Sequence, residues 1–172
     1  MLDSVARFVF DSIGCELSTR RIAGTLTSDG RKSDSRTIER YLDALLESFL
    51  IYKAERYDVK GEQLLKTLEK YYVVDPGLRR HLLSGRSQDV GHVLENVVFL
   101  ELLRRGAKVR VGKVGSLEVD FVAENANGTE YYQVAATVRD TETLRRELAP
   151  LQKIHDNYPK TLLTLDEDPS DD

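Results

Sequence analysis

The sequence predicts an α/β (α+β) chain in two parts. The first is an N-terminal winged helix-turn-helix over residues 1–86, and the second is a small α/β domain with a mixed central sheet over 87–165. Three observations carry this reading. Apolar residues recur at helical spacing in three segments before residue 50. The pattern then changes to the aromatic and β-branched runs of a two-stranded ribbon. Beyond residue 87 a helical pattern, three strand patterns, a second helix and a final strand follow in that order.

The first helix is marked by Leu2, Val5, Val9, Ser12 and Ile13, with Gly14 as its stop. Ser18 is placed to cap a second helix from Thr19 to about Leu26, whose inner positions are Ile22, Ala23 and Leu26. A polar turn over Thr27–Ser33 leads to the clearest helical pattern, Ile38, Tyr41, Leu42, Leu45, Leu46 and Phe49. Leu50–Val59 then reads as a strand ended by Lys60-Gly61. A polar, helix-compatible stretch leads to a short strand at Tyr71–Val74, closed by Asp75-Pro76-Gly77.

The second part begins after Gly85-Arg86-Ser87-Gln88. A helix over Val90–Arg105 places Val90, Val93, Leu94, Val97, Val98 and Leu102 inward, with Gly106 ending it. Strands are expected over Lys108–Val111, Leu117–Ala123 and Glu130–Val138, with Asn125-Ala126-Asn127-Gly128 as the turn between the last two. A helix from Glu142 to Ile154 and a buried strand over Thr161–Leu165 complete the domain.

Composition sets limits around this outline. The 172 residues can bury one or two small cores, and no apolar run approaches the span of a bilayer. Met1-Leu2-Asp3-Ser4 has no pattern of a secretory leader, and the single cysteine, Cys15, suits a reducing compartment. The expectation is a cytoplasmic protein without a membrane partner. The net charge of −4 averages unlike halves: residues 1–86 hold 15 basic and 13 acidic side chains, residues 87–172 hold 10 and 16. Five of those acids lie in 166–172, an acidic tail expected to be disordered.

Two constellations could carry chemistry. Arg20, Arg21, Arg31, Lys32, Arg36 and Arg40 fall within 21 residues around the second helix, the turn and the third helix. In a helix-turn-helix these positions face phosphates and the major groove of double-stranded DNA. Arg36 and Arg40 lie one turn apart, opposite Ile38 and Leu45. The same residues also fit a solvated helix face, because Asp43 and Glu47 continue the stripe and can pair with Arg40.

The second constellation is acidic. Glu95 lies on the long helix, Asp120 on the second strand of that domain and Gln133 on the third. Strand alternation puts Glu118 with Asp120 on one face and Val119 with Phe121 on the other, while Gln133 shares a face with Tyr131 and Ala135. Oxygen ligands of this kind suit Mg²⁺ or Mn²⁺, with Glu95 and Asp120 as the metal ligands. A lysine beside the attacking water is missing, since Ala135 stands at its place and Lys153 is remote. The alternative is that Glu95 and Asp120 are structural partners of arginines or backbone donors. His81, His92 and His155 are scattered, Cys15 lacks a basic activator, and Gly112-Lys113 lacks both the first glycine and the Ser/Thr of a phosphate loop.

Three groups of residues occur in an order that resembles the C-terminal region of a family of bacterial and archaeal AAA-type ATPases, a region known only as a domain of unknown function. They are Arg40-Tyr41-Leu42 through Leu50-Ile51; Lys70–Asp75 with Gly77-Leu78-Arg79; and Gly91–Asn96 followed by Glu118–Val122 and Tyr132-Gln133-Val134. The resemblance covers about residues 1–165. It implies an N-terminal ATPase domain, with its ATP, outside these 172 residues. It also implies a winged helix and a restriction-endonuclease-like (PD-(D/E)xK) domain in which Glu95, Asp120 and Gln133-Val134-Ala135 occupy the catalytic motif positions. Gln133 and Ala135 depart from the acid and lysine of that motif. The resulting expectation is a non-catalytic, DNA-binding module of an ATP-binding protein. Two alternatives remain open: a divergent metal-dependent nuclease using Glu95 and Asp120, and a protein-interaction module docking on its own ATPase domain or a partner.

Overall fold

In the computed structural model, which describes residues 1–85 and 89–167, the chain has a mixed α/β architecture with six helices. The link expected at Gly85–Gln88 lies outside the described residues from Arg86 on, as does the acidic tail from residue 168. Two compact units are formed: Met1–Ala54 with Lys66–Asp89, and Glu55–Leu65 with Val90–Asp172.

The first unit contains α1 (Leu2–Asp11), β1 (Glu16–Leu17), α2 (Thr19–Ser28) and α3 (Ser35–Glu47). The base of the hairpin β2 (Ile51–Asp58) and β3 (Gln63–Val73), and α4 (Pro76–Leu82), complete it. Val5, Val9, Phe10 and Ile13 are buried, as are Ile22, Leu26, Ile38, Leu42, Leu45, Ile51 and Tyr72. These are the apolar positions of three amphipathic helices, and α1, α2 and α3 pack on one another. Ser18 Oγ accepts the Arg21 N–H at 3.2 Å to start α2, and Asp34 accepts the Thr37 N–H at 2.8 Å to start α3. Gly14, at φ +69, donates its N–H to Tyr71 O at 3.1 Å, which ties the end of α1 to β3.

Three local expectations are corrected in this unit. Phe49 does not extend the apolar face of α3: the helix stops at Glu47, and Phe49 sits at φ +55 with 70% of its surface exposed. The polar stretch before Tyr71 belongs to β3, because its backbone finds partners in β2 and β1 whatever its polarity. Asp75-Pro76-Gly77 does follow the end of β3 at Val73, but it also opens a helix the sequence reading lacks, α4, with the Asp75 carboxylate accepting the Gly77 N–H at 2.6 Å and proline in the first turn. Arg79 of α4 is buried and donates to Phe10 O at 2.6 Å, and burial pushes its pKa down.

The second unit is a mixed sheet with α5 (Val90–Arg104) and α6 (Thr141–Gln152) packed on it. Its strand order is β2-β4-β5-β6-β7, with β4 (Lys108–Val114), β5 (Leu117–Asn125), β6 (Gly128–Val134) and β7 (Lys160–Leu163). The end of β2 runs parallel to β4, β4–β5 and β5–β6 are antiparallel, and β6–β7 is parallel. Gly128, at φ +125, makes the β5–β6 turn at the expected place. The buried side of α5 is Glu95, Asn96, Phe99 and Leu102, whereas Val90 and Val97, expected inward, are exposed. The helix is apolar on so much of its surface that spacing alone could not select the packed face.

Alternation along β5 also breaks. Arg110 pairs with Val122 and Gly112 with Val119, so Asp120 and Phe121 together stand opposite Val111. This β-bulge separates Val119 from Phe121, which simple alternation puts on one face. Val119 joins Val122, Tyr131, Leu151 and Ile154 in one buried cluster, while the Phe121 ring lies 5.9 Å from Phe99 of α5. Gly112 permits the close approach: a Cβ there would meet Val122 Cγ2 at 2.8 Å and Val119 Cβ at 3.0 Å. Gly112-Lys113 is thus a strand segment.

Candidate functional site

The basic residues of the first unit are placed by two capped helices. Arg20 and Arg21 follow the Ser18 cap of α2, and Arg36 and Arg40 follow the Asp34 cap of α3. All four are exposed, and among the described residues none of them forms an ion pair. In particular, Arg40 is not bridged to Asp43 or Glu47. Lys32, in the turn between the helices, is exposed as well. Arg31 is held differently. Its guanidinium donates to Ser4 Oγ on α1 and its N–H to Leu26 O at 2.8 Å, so the turn is fastened to the helical core. The N–H of Thr37 holds the exposed Asp34 carboxyl below the usual carboxylate range. This leaves one fixed negative charge at the head of α3, beside Arg36.

The polar group of the second unit is built at the β5 bulge. Glu95, Asp120 and Gln133 are 8%, 9% and 7% exposed. Phe121 pairs with Tyr132 where the β5–β6 ladder reaches the bulge; beyond that pair, side chains serve the backbone. Asp120 Oδ2 accepts the Val134 N–H at 2.8 Å, and Gln133 Oε1 accepts the Asp120 N–H at 3.4 Å. The other end of the Gln133 amide donates to Glu147 Oε2 of α6 at 3.2 Å, and Glu147 is paired with Arg146 at 2.9 Å. Asp120 and Gln133 are therefore brought together, as the sequence suggests. Glu95 lies one helical turn before Phe99, the residue that packs on Phe121.

Glu147 is the member that sequence reasoning missed. Its only signal was a position on the inner side of the second domain's last helix, which many glutamates share. Ala135 is buried, its N–H donating to Leu163 O at 3.0 Å. Lys153 caps the end of α6 and is exposed. Among the described residues no three His, Cys, Asp or Glu side chains gather as a metal-holding group, and no helix is long and apolar enough to cross a membrane.

A second polar cluster lies by β7. Tyr131 donates its hydroxyl to Asp156 Oδ2 at 2.7 Å, and Lys160 Nζ donates to Asp156 Oδ1 at 2.8 Å. Burial and the Asp156 charge push the Tyr131 hydroxyl pKa up. Burial opposes ionisation of Asp156, but the Lys160, Tyr131 and Tyr158 donors outweigh it and hold that carboxyl low. The lysine and the carboxylate neutralise each other, so this cluster fastens β7.

Comparison with known proteins places the chain in a family. It belongs to the family described as a domain of unknown function (DUF8612), whose pattern matches residues 1–89. It is 43% identical over 164 residues to an uncharacterized protein of Haemophilus influenzae, covering 95% of this chain and 40% of that protein. It is 32% identical over 142 residues to an uncharacterized protein of Methanocaldococcus jannaschii, covering 80% of this chain and 31% of that one. The chain therefore spans less than half the length of these curated relatives. No solved structure matches it.

Proposed function

We propose that this member of the family binds double-stranded DNA through the exposed arginines of α2 and α3, as one module of a larger cytoplasmic ATP-binding protein. The observation that carries the reading is that Arg20, Arg21, Arg36 and Arg40 are exposed and form no ion pair among the described residues. A guanidinium left in water keeps its full attraction for phosphate, whereas one already paired must break that pair first. The order of three helices followed by a hairpin is that of a winged helix, in which the third helix enters the major groove. Arg36 and Arg40 stand on the first two turns of that helix, and Arg20 and Arg21 on the first turn of the helix before it. The resemblance to the C-terminal region of AAA-type ATPases supports an ATPase domain, with its ATP, in the longer protein.

The second unit is read as a degenerate restriction-endonuclease-like domain that serves as a scaffold. The Mg²⁺ or Mn²⁺ of an active member fits these residues poorly. Asp120 Oδ2 and Gln133 Oε1 already accept one backbone N–H each, which weakens them as donors to an ion. The amide at Gln133 removes one negative charge as well. No reaction step is assigned to Glu95, Asp120 or Gln133.

The test is a fluorescence-anisotropy titration of a short labelled duplex with the purified chain at several salt concentrations. Affinity should fall steeply with salt, and Arg36→Ala with Arg40→Ala should weaken binding by about tenfold or more and lower the salt slope by about two. Titrations that the double substitution leaves unchanged would sink the proposal.

A further inference from the structure

We infer that the first unit carries a docking groove for a basic amphipathic segment of a partner protein, separate from the arginines of α2 and α3. The groove, of about 420 Å³, lies between α2, α3 and the strands β1 and β3. Leu17, Ile22, Leu42, Leu68 and Tyr71 supply its apolar surface, and Glu39 and Glu69 are its charged lining residues. Among the described residues no lysine or arginine lines it, although Lys53 pairs with Glu69 from outside the lining.

Two features single it out from an ordinary surface depression. Leu68 is 40% exposed at φ +62, a backbone conformation that a leucine seldom takes, and it stands at the groove. An apolar side chain so placed gains nothing from its own core and gains from a partner that covers it. The second feature is charge. Glu69 is met by Lys53 at 3.1 Å and by the Tyr71 hydroxyl at 3.2 Å, but Glu39 has no ion pair among the described residues. Asp43, one turn further along α3, has none either. After burial, the charges of Glu69, Asp43 and Glu39 push the Tyr71 hydroxyl pKa up, as expected where negative potential gathers.

An apolar floor with an anionic rim is the complement of a segment that presents leucine-like anchors flanked by lysine or arginine. The same rim repels a phosphate backbone, so nucleic acid is not the occupant. This inference is independent of the DNA reading, since it uses none of the four exposed arginines.

The test uses the whole chain and a fluorescein-labelled amphipathic helical peptide of leucine and lysine, about 18 residues long, with a leucine–glutamate peptide of the same pattern as control. The lysine peptide should bind and the glutamate peptide should not. Leu68→Asp should weaken binding by about tenfold or more, and Glu39→Lys by about threefold to tenfold. Glu142→Lys, an equal change of net charge on α6, should leave it unchanged, and Arg36→Ala with Arg40→Ala should leave it unchanged or stronger, because two cations near Glu39 on α3 are removed. Glu39→Lys should at the same time leave duplex DNA binding unchanged or stronger. Equal loss in Glu39→Lys and Glu142→Lys would reduce the effect to net charge and overturn the proposal, as would full binding by Leu68→Asp or no binding by the native chain. Circular dichroism of Leu68→Asp guards against unfolding. If that variant is unfolded, Leu68→Gln takes its place with the same expected direction.

Discussion

In the first unit Arg20, Arg21, Arg36 and Arg40 stand in water and form no ion pair among the described residues, whereas in the second Asp120, Gln133 and Glu147 are drawn into one chain of hydrogen bonds. Leaving a charge exposed costs little, because water solvates it. Leaving a polar group buried and unmatched costs a great deal, so the interior settles such groups on whatever donor is near. The polar residues of the two units are therefore available for different things. Those of α2 and α3 can be recruited by a ligand without loss to the fold. Those around the β5 bulge also hold the backbone of the fold, so changing them should cost stability.

Substitutions should separate the two units on this basis. The largest stability effect is expected for Asp120→Ala, which takes away the acceptor of the buried Val134 N–H; chemical denaturation should show a loss of about 2–3 kcal/mol with DNA binding unchanged. A smaller loss would mean that water replaces the carboxylate and that the site is more open than its burial indicates. Gly112→Ala should cost about 1–2 kcal/mol, because the new Cβ meets Val122 and Val119 within 3.0 Å and the bulge must shift. By contrast, Arg36→Ala with Arg40→Ala should change stability by no more than about 0.5 kcal/mol. A larger loss would show that these arginines hold the unit together after all and would erase the contrast.

The smallest effect concerns acid. Asp166 accepts the Val138 N–H at 2.7 Å and the Thr137 hydroxyl at 2.8 Å and pairs with Arg139 at 3.2 Å, which together hold its carboxyl below the usual range. A lowered folded-state pKa adds stability that is complete above the unfolded value near 4 and is lost as pH falls through the folded one. Asp166→Asn should therefore lower the melting temperature slightly at pH 7, and the difference from the native chain should close on acidification towards pH 3. A constant difference across that range would assign the effect to hydrogen-bond geometry instead of charge.

Much of the fold is legible in local pattern. Ser18 ahead of Ile22, Ala23 and Leu26 is enough to place α2, and the spacing from Ile38 to Leu45 is enough to place α3. Caps and periodicity act within a few residues of where they are read. The failures are equally physical. On α5 apolar residues occur all round the helix, and two of the buried residues are polar, so nothing local says that Glu95, Asn96, Phe99 and Leu102 form the packed side. In the stretch from Gln63 to Lys70 polar residues are mixed with Leu64, Leu65 and Leu68 without strict alternation, and neighbouring strands make it β3. The candidate acids were visible as types, but their engagement was not. Glu147 reaches Gln133 from 14 residues away, and Arg31 reaches Ser4 from 27.

The sequence by itself determined most of the helices and strands (α1–α3, α5, α6, β2 and β4–β7, but not β1, α4 or the first part of β3), the capped start of α2, and the basic character of the exposed faces of α2 and α3. Each of these is decided by neighbours along the chain. Only the tertiary structure decided which charges remain available. Arg31 is fastened to α1 while Arg36 and Arg40 stay in water, and the bulge opposite Val111 joins Asp120 to Val134 and Gln133. Availability depends on whether a partner is within reach in space and on how far water is excluded, and neither quantity is carried by spacing along the chain.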